Sequence, residues 1–88
     1  MTIMIGIDPH KATHTAVAID GEEHVLDEFT LRSSNVQVRR LRAWAAQFDE
    51  PVWAVESARG LGYLLAQQLV GAGETVFDVP PVLASRVR

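Results

Sequence analysis

A chain of 88 residues with 48% hydrophobic content suits one small globular domain and leaves no room for a second. It has no cysteine, which excludes disulfides and thiolate metal sites and leaves oxygen or imidazole donors for any metal, a set that favours a hard cation such as Mg²⁺. No apolar run approaches the ~18 residues of a membrane span, and the start MTIMIGIDPHK meets an acid and a proline too soon for a signal peptide, so a cytoplasmic protein without a membrane partner is expected.

In chain order, Ile3-Met4-Ile5-Gly6-Ile7 is apolar on both faces and stops at Asp8-Pro9, the pattern of a buried central strand ending in a turn. Thr13 to Ile19 is rich in β-branched residues, Asp20-Gly21 is a hairpin signal, and His24 to Leu31 resumes with Val25, Phe29 and Leu31 at even steps. Ser33, Ser34 and Asn35 offer N-caps for a helix in which Val38, Leu41, Ala45 and Phe48 recur through about residue 49. Pro51 breaks it, and Val52-Trp53-Ala54-Val55 forms a short strand ending at Glu56. Gly60-Leu61-Gly62 then leads into a second helix carrying Leu64, Leu65 and Leu69, which Gly71 and Gly73 end. Thr75 to Val79 is a last strand, stopped by Pro80-Pro81 before a short stretch beginning Val82-Leu83-Ala84.

The order β-β-β-α-β-α-β predicts a hairpin meander feeding two right-handed crossovers, with the first and fourth strands as parallel neighbours in a mixed sheet. This is a ribonuclease H-like α/β arrangement. Charge follows the same divisions. The net charge is −3, but Arg32, Arg39, Arg40 and Arg42 form an acid-free segment between two acidic ones.

Asp8 and Glu56 each close an apolar strand. If the strands pair, backbones ~4.8 Å apart present two carboxylates at one sheet edge. Read singly, Asp8 caps a turn and Glu56 opens a helix. Read together, like charges at neighbouring strand ends favour a cation, Mg²⁺ or Mn²⁺, and a pair of such ions ~3.5–4 Å apart serves phosphodiester chemistry when three or four carboxylates hold it. Asp78 lies within the last strand and is a weaker candidate. His10 and His14 have the spacing of a helical metal pair in a segment that reads as turn and strand, so both are expected at the surface. His24 stands alone at a strand start. Lys11 in the turn after the first strand, with Arg39, Arg40 and Arg42 on the outer face of the first helix, offers contacts to a phosphate backbone or simply a solvated face. Gly60-Leu61-Gly62 is too short for a dinucleotide fingerprint.

The stretches GIDPHKATHTAVAID and WAVESARGLGYLLAQQLVGAGETVFDVPPVLASRVR resemble the N-terminal half of insertion-sequence transposases with a DEDD motif, the insertion sequence one-ten family. The resemblance joins the I-G-I-D start, the strand ending in Glu before a Gly turn, the A-Q-Q-L helix and the V-P-P exit, in order and over nearly the whole chain. It implies the RuvC-like form of the ribonuclease H-like fold, and that Asp8 and Glu56 are the first two acidic ligands of a Mg²⁺-dependent site for DNA strand cleavage and exchange. Residues 1–88 would then form the N-terminal part of that domain, with the remaining two aspartates and a serine-bearing domain beyond Arg88. It also implies donor and target DNA, a guide RNA and a homo-oligomer as partners. Arg59 before Gly60 departs from the more direct Thr-Gly of many relatives.

RuvC-like junction resolvases open with a similar G-I-D-P stretch, and actin-like sugar kinases place a phosphate-binding hairpin there, usually glycine-rich, unlike Pro9-His10-Lys11-Ala12. A non-catalytic remnant, or an assembly and nucleic-acid-binding module, is the remaining reading. This chain alone is expected not to cleave DNA.

Overall fold

The computed structural model describes residues 2–80. It runs β1 (Ile3–Pro9), β2 (Thr13–Ile19), β3 (Val25–Arg32), α1 (Gln37–Ala45), β4 (Pro51–Glu56), α2 (Tyr63–Gly71) and β5 (Thr75–Val79). The five strands form one sheet in the order β3-β2-β1-β4-β5. The first three strands pair antiparallel, while β1–β4 and β4–β5 are parallel, as two crossovers in one direction require. This is the mixed ribonuclease H-like sheet that the element order predicts. The stretch beginning Val82 and the basic residues Arg86 and Arg88 lie outside the described residues.

Alternation along the strands sends Ile3, Ile5 and Ile7, Ala16 and Ala18, Leu31, and Trp53 and Val55 to one face. There they form a single core with Leu41 and Ala45 of α1 and Leu65, Ala66 and Leu69 of α2. Both helices therefore cover the same face. Trp53, fully buried, donates its indole N–H to Glu74 at 2.9 Å, which meets the need of a buried polar atom for a partner. β1 is the central strand and is buried along its length except at Met4 on the other face, as its composition predicts, while on that face Leu26 of β3 and Phe77 of β5 are about half exposed. Among the described residues no helix is long and apolar enough to cross a membrane.

The elements depart from the sequence expectations at three boundaries. The β2–β3 connection is a five-residue loop, in which Asp20 Oδ1 accepts the backbone N–H groups of Glu22 and His24. Glu23 there takes a left-handed φ of 65°. The hairpin thus closes through an Asp-centred turn and not a two-residue Asp-Gly turn. Val36 precedes α1 without a side-chain cap, because Ser34 Oγ is already used in accepting the Val36 N–H at 3.2 Å in the turn before it. Finally, α1 ends at Ala45 and not near residue 49. The ring of Pro51 disfavours helical geometry at the residue before it, and Glu50 sits at φ 45°. Phe48 nonetheless reaches the core edge, meeting Trp44 edge-to-face with ring centroids 5.2 Å apart, while Trp44 stacks on Phe29.

Candidate functional site

The parallel pairing of β1 and β4 runs from Ile3 beside Pro51 to Ile7 beside Val55. The next residue on each strand is Asp8 and Glu56. Because Ile7 and Val55 face the helices, Asp8 and Glu56 share the opposite face, at the carboxyl ends of neighbouring strands. Asp8 is 9% exposed, lies beside Thr15 on β2, and has its Oδ2 3.3 Å from His10 Nε2. Glu56 is half-buried and terminates β4; the helix that the local sequence allows at this point starts only at Tyr63.

The chain leaves Glu56 through a tight turn. Ser57 takes φ 54°, and its carbonyl accepts the N–H groups of Gly60 at 2.8 Å and Gly62 at 2.9 Å. Asp78 Oδ1 accepts the Ala58 N–H at 3.1 Å, tying this turn to β5, so Asp78 supports the turn after Glu56. Gly62 is the tightest point. A Cβ there would stand 2.7 Å from the Glu56 carbonyl oxygen and 2.8 Å from Val55 Cγ1, so only glycine lets α2 start this close to the end of β4.

The other sequence candidates are spread along the molecule. Lys11 is exposed in the turn closed by the His10 N–H donating to the Thr13 carbonyl at 2.8 Å, at the same end of the sheet as Asp8. Arg42 donates to Glu74 Oε2 at 2.9 Å, at the opposite end, where β5 begins. Arg40 lies over the Phe29 ring, 5.6 Å from its centroid. Arg39 is exposed and, with Arg42, Phe48 and Pro51, lines an open cleft of about 590 Å³ at the end away from the acids. His24 is exposed and contacts Asp20.

His14, expected at the strand surface, is 4% exposed. It alternates with Ala16 and Ala18 on the helix-covered face, and that even spacing was the one sign of burial in the sequence. Its Nε2 lies 2.9 Å from Gln37 Oε1 and 3.1 Å from Ser33 Oγ, and Gln37 donates its amide to Gln68 at 2.7 Å. A polar relay thus joins β2, α1 and α2, and neither glutamine carried a sequence signal for it.

Two carboxylates on one face suit a hard divalent cation, which takes oxygen ligands. Among the described residues no group of three or more His, Asp or Glu is placed to surround such an ion, and Asp8 and Glu56 are two carboxylates at neighbouring strand ends.

Residues 5–88 match the transposase family of the DEDD, IS110 type. An uncharacterized 44.8 kDa protein of insertion element IS116 from Streptomyces clavuligerus is 33% identical over 85 residues, a match covering 97% of this chain and 21% of that protein. The chain therefore spans about a fifth of the length of that relative. Among solved structures, the large terminase nuclease of thermophilic phage G20c superposes with a TM-score of 0.70 at 18% identity, over 98% of this chain and 47% of that one. RuvC of T. thermophilus, solved with a Holliday junction substrate, superposes with a TM-score of 0.63 at 18% identity, over 93% and 66%. At that identity both likenesses show the fold, which is that of ribonuclease H-like nucleases.

Proposed function

Because the chain belongs to the IS110-type DEDD transposase family, we propose that it serves DNA transposition, with Asp8 and Glu56 as two of the carboxylates that hold divalent metal for strand cleavage and exchange. The observation that carries this reading is the register: the two acids directly follow the last paired residues of β1 and β4 and share one face.

Mg²⁺ or Mn²⁺ bound by these carboxylates supplies positive charge where phosphodiester cleavage develops negative charge, and lowers the pKa of the attacking oxygen. The chain's own residues set the geometry. Asp8 is fixed by its place between β2 and β4, and His10 lies against its outer oxygen. Glu56 is held by the close seat of Gly62 and by the turn that Asp78 braces. Lys11, at the same end, is placed to meet a phosphate. Two carboxylates are fewer than a metal pair needs, so cleavage requires further acids, and the chain by itself is expected to bind metal weakly and leave DNA uncut. Donor and target DNA, a guide RNA and a second copy of the whole protein are the partners this reading assigns.

Calorimetric titration with Mn²⁺ tests it. Weak binding that Asp8→Ala and Glu56→Ala each abolish is the expected result, and binding unchanged in both variants overturns the assignment.

A further inference from the structure

A cavity of about 180 Å³ opens between the β1–β2 turn and α2, beside the acid edge. We propose that it receives one unstacked nucleobase of a nucleic-acid strand passing over that edge, an inference that rests on the nucleic-acid reading above. The volume is below the roughly 300 Å³ of pockets for drug-sized ligands and suits a single ring system.

Its walls suit the flat face of a base. Leu61 and Leu64, three residues apart across the start of α2, line it at 58% and 61% exposure, two large apolar side chains presented to solvent. Flipped bases are held between apolar or aromatic side chains, with their polar edges read by hydrogen bonds.

Its polar lining suits the edge of a base. Ser33, His14 and Gln37 all contribute. Since the Gln37 amide nitrogen donates to Gln68, its oxygen faces His14 and also accepts the Ser34 N–H. An amide oxygen only accepts, so the network assigns the His14 proton to Nε2 and leaves Nδ1 as an acceptor. That Nδ1 is the buried side-chain polar atom left without a hydrogen-bond partner among the described residues. An amino or imino N–H of a base supplies the missing donor after a small movement of the ring, whereas an apolar side chain from a protein partner would leave Nδ1 unpaired.

The rim connects the cavity to the acids. Lys11 lines it and offers a cation to the phosphate next to the base. His10 lines it too, and its Nε2 lies 3.3 Å from Asp8 Oδ2, so the rim of the cavity adjoins the Asp8 carboxylate.

The test uses the 88-residue chain and short single strands, DNA in one arm and RNA of the same sequence in the other, intact or with one base at a time removed. Binding is followed by fluorescence anisotropy across a salt series, and His14 by ¹⁵N NMR. In at least one arm, removal of one particular base is expected to weaken binding about tenfold, and Leu64→Ser to weaken the intact strand by a similar factor while leaving the abasic strand unaffected. Lys11→Ala is expected to reduce the salt slope by about one unit. The His14 Nδ1 resonance should move with the intact strand and not with the abasic one. Leu64 is solvent-exposed, so its variant keeps the fold, which circular dichroism verifies. Binding in which no base matters and Leu64→Ser has no effect overturns the base pocket and leaves the nucleic-acid reading standing. No binding in either arm overturns both.

Discussion

Gly62 shows how one residue can fix the position of Glu56 through the room it leaves. The methyl group of Gly62→Ala would collide with the Glu56 carbonyl and with a β-branched Val55, neither of which can swing aside. The variant is expected to lose about 1–3 kcal/mol in urea unfolding and to weaken metal binding along with it, as Glu56 moves away from Asp8. Unchanged stability would mean that the turn has slack. A second residue-scale prediction concerns Asp27, whose carboxyl is held below its usual range, first by the Trp44 indole N–H at 2.9 Å and then by the Glu28 backbone N–H. A lowered folded-state value means that the contact stabilises above the unfolded carboxylate range near pH ~3.9 and that this contribution is lost as pH falls through the folded value. Trp44→Phe should raise the Asp27 midpoint in an NMR titration, and an unmoved midpoint would contradict the assigned cause. The placement of Asp8 and Glu56 at neighbouring strand ends was legible in the sequence because each ends an apolar run. Gly62 and His14 were less so, since steric room and burial depend on neighbours distant along the chain.

At the scale of the element, α1 divides its arginines between tasks that spacing alone could not separate. Arg42 is bound to Glu74, which also accepts from the buried Trp53, whereas Arg39 is exposed. Arg42→Ala is therefore expected to lower stability by about 1 kcal/mol or less, given its exposure, and to leave the salt dependence of nucleic-acid binding unchanged. If Arg39 meets a phosphate, Arg39→Ala should do the reverse, and a slope that falls for Arg42 alone would reverse the two roles. The extent of α1 was read about four residues too long, because Phe48 continues the apolar period after the helix has ended. The caps offered by Ser33, Ser34 and Asn35 were misread for a different reason: Ser34 is consumed by a turn of its own.

At the scale of the whole molecule, the fold was legible because two periods alternate cleanly along the chain, and because the handedness of crossovers leaves few ways to place β4. The adjacency of β1 and β4, separated by more than 40 positions in sequence, follows from that topology, and with it the pairing of the two acids. The polar relay of His14, Gln37 and Gln68 was not legible, since it exists only once two helices pack on one face. The measurement that tests the account most directly is paramagnetic broadening of the chain's ¹⁵N-resolved NMR spectrum by substoichiometric Mn²⁺. The expected result is broadening centred on residues 7–9 and 55–57, lost in both Asp8→Asn and Glu56→Gln. Broadening centred elsewhere, or persisting in both variants, would contradict the claim that these two carboxylates form a metal site.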